Sequence, residues 1–133
     1  MNLLRMVVFL LLSILGGWII NANIYSAFSD AQLVIERDGI MNIFAGYGCF
    51  FIGLYVVIYV AKDQFRLNFN VGEFNKVVSG LVITSLILSV VNFAAINRQV
   101  EGYTECKNLR EISSRYSSRT YAISPELCDS LKQ

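Results

Sequence analysis

Long apolar runs alternate along the chain with short polar ones. Leu3 to Ile20 ("LLRMVVFLLLSILGGWII") holds one charge, Arg5 near its start, whereas Gly39 to Ala61 ("GIMNIFAGYGCFFIGLYVVIYVA") and Val77 to Ile96 ("VVSGLVITSLILSVVNFAAI") hold none. Each run is long enough to cross a bilayer, since a helix rises about 1.5 Å per residue and the hydrocarbon core is roughly 30 Å thick. Backbone polar groups in lipid must be satisfied within the segment, which makes the runs helices. Charges bound them: Asp38 and Lys62 flank the second run, Lys76 and Arg98 the third. Trp18, Tyr25 and Tyr59 lie near run ends, where amphipathic rings favour the interface. A basic residue ahead of an apolar stretch also fits a cleaved secretory signal. Here the stretch runs long and "NANIYSAFSD" after it lacks a clean small-x-small site, so the first run reads as a retained span.

The pattern predicts an all-α membrane protein. A three-helix transmembrane region occupies 1–97, with spans at about 3–20, 39–61 and 77–96, and a small disulfide-stapled extracytoplasmic C-terminal tail occupies 98–133.

Loop charge gives an orientation. Between the first two runs Arg37 stands against Asp30, Glu36 and Asp38, while Lys62, Arg66 and Lys76 outnumber Asp63 and Glu73 between the second and third. Basic loops stay cytoplasmic, which puts the N-terminus inside and the C-terminus outside. Arg98, Lys107 and Arg110, close after the third run, count the other way. The cysteines break the tie, because Cys106 and Cys128 flank a soluble stretch and pair in an oxidising compartment. In a bacterium the periplasm is the expected compartment, with the chain a multi-pass membrane protein. A tail of about 36 residues is too small to bury a core unaided, and closing its loop with a disulfide adds about 3 kcal/mol.

Local signals fill in the polar segments. Ser124, Pro125 and Glu126 form a helix start, with a short helix running from Pro125 to about Lys132. "RTYAI" ahead of it is β-prone and "SSRYSS" reads as loop. Ser29 with Gln32 resembles a capping box, so "AQLVIER" is expected as a short helix at the outer interface, ended by Gly39 and able to pack with the tail. "FRLNFNV" alternates and suits a strand-like stretch resting on headgroups.

Small and polar residues recur every four positions within the runs: Ser13, Gly17 and Asn21 on the first, Ala45, Cys49 and Gly53 on the second, and Ser85 and Ser89 on the third, with Asn92 a turn on. Such rows let helix backbones approach and hydrogen-bond, within one chain or in a homo-oligomer. Cys49 is expected as a small packed side chain with nothing near to activate it.

Composition mainly excludes. The chain has 133 residues, 55% of them hydrophobic, with a mean hydropathy of +0.52, above the usual apolar share of a soluble domain. A net charge of +1 gives no field to gather nucleic acid. There is no histidine, and the runs lack Asp, Glu and Lys, so neither a proton relay nor a tetrahedral zinc site is foreseen. The glycines of "GYGCFFIG" lie within a span rather than in a phosphate loop. The expectation is a protein without enzyme activity, cofactor or metal. What remains is Arg110, Arg115 and Arg119 with Tyr116 and Tyr121 in the cysteine-closed loop, a mix that suits a protein partner, lipid phosphates or plain solvation.

Gly16, Gly17 and Trp18 in the first run, then Cys106 and the terminal "YAISPELC" with Tyr121, Ser124, Pro125, Leu127 and Cys128, carry a resemblance. The layout resembles small enterobacterial inner-membrane proteins of a family of unknown function. It is also similar in plan to multi-span immunity proteins that guard producers against pore-forming or periplasm-acting toxins. The resemblance implies location and a toxin partner, and assigns no catalytic residue. An immunity protein is therefore the leading expectation; the alternatives are an accessory subunit of a larger membrane complex and a lipid-binding envelope protein.

Overall fold

The structure, a computed structural model, describes residues 2–29, 32–113 and 116–131. Three long helices dominate it: α1 (Asn2–Phe28), α2 (Ile40–Phe65) and α3 (Phe74–Gln99). All three are long and apolar enough to cross a membrane. Between α1 and α2 lies strand β1 (Val34–Asp38), and after α3 come β2 (Thr104–Glu105), a single 3-10 turn (Lys107–Leu109), β3 (Glu111–Ile112), β4 (Ser117–Ala122) and helix α4 (Pro125–Ser130). The expected class, a mostly helical chain with three spans and a stapled tail, stands. Added to it is a four-stranded antiparallel sheet.

Contacts group the chain into two units: Met1–Ile20 with Phe44–Leu88, and Asn21–Ile43 with Ser89–Gln133. This differs from the division foreseen at residue 97, because β1 and the adjoining helix ends group with the tail.

In the first unit α1 and α2 approach through glycine. A Cβ on Gly16 would lie 2.6 Å from the Phe50 backbone nitrogen and 2.7 Å from the Gly46 carbonyl oxygen. One on Gly53 would lie 3.0 Å from the Phe9 carbonyl oxygen. Ser13 Oγ donates to the Phe50 carbonyl at 3.0 Å, so the contact is hydrogen-bonded as well as close. Ser13 and Gly53 thus lie at the contact, and Gly17 faces the Phe50 ring. The side chains of Ala45 and Cys49 are exposed, and Asn21 is exposed too. The α2 seam runs through Gly46, Phe50 and Gly53, and the Cys49 backbone also lies beside Gly16 although its side chain is exposed. On α3, Ser85, Ser89 and Asn92 are all buried, and Ser85 Oγ donates to its own helix at the Leu81 carbonyl.

The segment after α2 is not strand-like. Arg66, at φ 50°, ends the helix, and the Leu67 N–H returns to the Lys62 carbonyl at 3.0 Å in a Schellman-type closure. Residues 67–73 then run without regular structure. Alternation alone did not make a strand there, since no neighbouring strand takes up its backbone groups.

The second unit departs most from expectation. "VIERD" is strand β1 and not part of a helix, paired in register from Val34 opposite Ala122 to Asp38 opposite Ser118. The Ser29/Gln32 pattern is no helix start. Helix α1 continues past Ile20 to Phe28, and Gln32 Nε2 donates to the Tyr25 and Ser29 carbonyls at its end. Orphan carbonyls at a helix end and orphan N–H groups at a helix start attract the same residue types, which is why the pattern misled. Strand β4 is central: β1 covers one edge, while β2 and β3 share the other. The β-prone "RTYAI" falls largely in β4, and α4 starts at Pro125 as foreseen, although Ser124 makes no side-chain cap bond. Lys132, expected at the helix end, lies outside the described residues. Cys106 and Cys128 are bonded, tying α4 to the turn after β2.

Replacing Gly16 by Ala should cost on the order of 1–3 kcal/mol by overpacking backbone that cannot yield. Gly48→Ala, where an added Cβ meets nothing within 4 Å, should cost nothing; unfolding titrations in micelles compare the two. Substituting both Cys106 and Cys128 by Ser should lower stability by about 3 kcal/mol, read as earlier protease cleavage within 104–131.

Candidate functional site

Alternation along β1 and β4 sorts their side chains onto two faces of the sheet. Arg37 and Arg119 are direct cross-strand partners, as are Ile35 and Tyr121, and Glu105 on β2 pairs with Tyr121 on its other side. These residues share one face. The Arg37 guanidinium sits 5.4 Å from the Phe93 ring centroid and 5.3 Å from that of Tyr121, within cation–π range of both. Its Nη1 donates to Asn97 Oδ1 at 2.5 Å. Two rings and an amide therefore hold this cation in one orientation. Arg119 and Arg110 both approach Glu105 Oε1, at 4.0 and 3.8 Å, through space and without a hydrogen bond. Beside the two cross-strand arginines opens a cleft of about 340 Å³, whose lining includes Ser117, Ile40, Phe93 and Ile112.

The opposite face is acidic. Asp38 Oδ2 accepts from Asn23 Nδ2 at 3.2 Å, and the Tyr116 hydroxyl reaches Asp38 Oδ1 at 3.5 Å. Glu36 accepts from Ser118 Oγ at 2.8 Å. A recess of about 70 Å³ lies between these carboxylates and Ala22, Asn23 and Ser26. Burial pushes the Asp38 carboxyl above its ordinary 3.8, against the lowering effect of the Asn23 hydrogen bond, and Glu36 adds to the rise. Tyr116 is raised as well, first by desolvation.

Of the residues expected to meet a partner, Arg110 and Tyr116 are exposed and Arg119 is half-buried at the cleft. Tyr121 is buried beneath Arg37, so it packs the sheet and offers little surface. Arg115 lies outside the described residues. Sequence reasoning missed Arg37, Asp38, Phe93 and Asn97. Their only signal was the β-branched "VI" before "ERD", which a strand assignment would have used to pair Arg37 with the tail. No group of three His, Cys, Asp or Glu side chains among the described residues is placed to hold a metal. Comparison with known proteins adds no relative: no protein-family model matches the chain, and no curated protein or solved structure does.

Asp38 titrates in the direction that opposes folding at neutral pH. Because its folded pKa is raised, its contribution is most favourable below 3.8 and is lost as pH rises through the raised value. Asp38→Asn removes that loss. The stability of the variant relative to wild type should therefore improve from acidic to neutral pH, measured as paired denaturant midpoints.

Proposed function

We propose that this chain is a non-catalytic inner-membrane protein of bacteria whose stapled sheet unit binds another protein, and that the partner is a membrane- or periplasm-acting toxin. The N-terminus lies in the cytoplasm and the sheet unit in the periplasm, a reading supported by the basic loop between α2 and α3 and by a disulfide that persists in oxidising compartments.

One observation carries the binding role. Arg110 and Ile112, before and in β3, and Tyr116, just ahead of β4, are exposed in a unit held by a disulfide, and Ile112 keeps 63% of its surface open. Arginine and aromatic side chains on a rigid support are the composition of interface centres, since little entropy is lost when they dock.

A second reading, an accessory subunit, is favoured by the apolar groove of about 210 Å³ in the helical unit, lined by Phe9, Leu12, Gly48, Cys49, Ile52 and Gly53. Small residues at such a groove admit a further helix. Mild-detergent purification separates the two: a stoichiometric membrane protein seated with the chain supports the subunit.

Co-expression with a toxin encoded beside the gene should keep cells alive, and Arg110→Ala with Tyr116→Ala should cut that protection at least tenfold in viable count. Equal killing with and without the protein sinks the immunity reading.

A further inference from the structure

Two guanidinium groups directly opposite each other on paired strands repel, and such placements are unfavourable unless an anion offsets them. Arg119 has Glu105 at 4.0 Å, but Arg110 shares the same oxygen at 3.8 Å. Arg37 forms no salt bridge with a carboxylate among the described residues. Its charge is held by the Phe93 and Tyr121 rings and by Asn97, which fix its direction without neutralising it. Asp38 also borders the cleft, yet its carboxylate is engaged by Asn23 and Tyr116 on the other face of β1, as strand alternation requires. Both arginines line one cleft of about 340 Å³, within the roughly 300–1,000 Å³ of small-ligand sites.

The rest of the lining narrows the ligand. Ser117 and the backbone at Gly39 stand beside the arginines, while Ile40, Phe93 and Ile112 give the cleft an apolar side. Ile40 opens one helix of membrane-spanning length and Phe93 lies in the closing turns of another. A site with a doubly cationic end and an apolar side, at the ends of such helices, matches an amphiphile whose anionic group sits at headgroup depth. Guanidinium is the side chain best matched to phosphate, because its planar fork meets two oxygens at once.

We infer that the cleft between Arg37 and Arg119 binds the phosphate of an anionic phospholipid, with Ser117 as a further donor and Ile40, Phe93 and Ile112 against the start of the acyl chains. The lipid supplies the counter-charge that the β1–β4 pairing lacks. It does not depend on the protein-binding role: Arg110 and Tyr116 are not in this lining, and Ile112 alone is common to both.

The test uses the full chain, purified in mild detergent, delipidated and titrated with phosphatidylglycerol, phosphatidylcholine or glycerol phosphate, with bound lipid counted by native mass spectrometry. Phosphatidylglycerol should bind one to a chain and at least tenfold more tightly than phosphatidylcholine. Arg119→Gln should weaken it by about tenfold or more, the scale of one guanidinium–phosphate pairing, while Lys107→Gln, an exposed cation outside the lining, leaves it within twofold. Arg37→Gln should weaken it likewise; should that variant lose the stacked pair and fail to fold, Arg119→Gln alone decides. Phosphatidylglycerol affinity unchanged in Arg119→Gln, or equal to that of phosphatidylcholine, overturns the site. Glycerol phosphate binding as tightly as the lipid overturns the lipid assignment in favour of a free phosphate. A stoichiometric protein released by Arg119→Gln while lipid affinity stays constant overturns it in favour of a protein ligand.

Discussion

The antiparallel pairing of β1 with β4 is the contact on which the second unit depends. A tail this short buries too little surface to stand alone, and β4 by itself would leave a row of N–H and C=O groups bare on one edge. Strand β1, drawn from the loop between α1 and α2, covers that edge over five residue pairs. The pairing extends at both ends, with the Gly39 N–H on the Ser117 carbonyl at 2.8 Å and the Ile123 N–H on the Leu33 carbonyl at 3.1 Å. The register then determines the chemistry. It puts Arg37 opposite Arg119 and Asp38 within reach of Tyr116, and a slip of one residue would send each of these side chains to the other face.

The helical unit obeys a different constraint. Where hydrocarbon surrounds helices there is no hydrophobic gain in bringing them together, so close backbone approach and hydrogen bonds have to do so. Gly16, Gly46 and Gly53 provide the approach, and Ser13 provides the bond. Leu3, Leu4, Leu11, Ile83 and Val91 are exposed, which in water would be a liability and in lipid is the ordinary outer surface of a span. An aromatic cluster of Tyr55, Tyr59 and Phe74 packs the end of α2 against the start of α3.

Much of this was legible in the residues. Uninterrupted apolar runs gave the three long helices, and spacing plus setting gave the Cys106–Cys128 bond, because both depend on local composition. The start of α4 at Pro125 and the strand around Tyr121 were also readable from propensity. What escaped was non-local. Nothing near "VIERD" reveals that its partner lies more than eighty positions on, and the Ser29/Gln32 signal looked the same from either end of a helix. The arginine cleft followed that loss, since Arg37 joins Arg119 only through the β1–β4 register. For Ala45 the difference is geometric: the α2 contact runs through Gly46, the Cys49 backbone, Phe50 and Gly53, one position on from the row that starts at Ala45.

The distance between the sheet's two halves also sets a timetable for biogenesis. Glu36 and Ser118, bonded across the central pair, are 82 residues apart in the chain. The first half of the ladder therefore leaves the ribosome long before its complement exists, and two membrane crossings are completed while it waits. Ordered pairing of this kind is slow because distant ends must meet before any bond rewards them. Sheet closure and oxidation of the thiols come last, so a newly made copy passes through an interval in which an open strand edge is exposed to folding helpers and proteases alike.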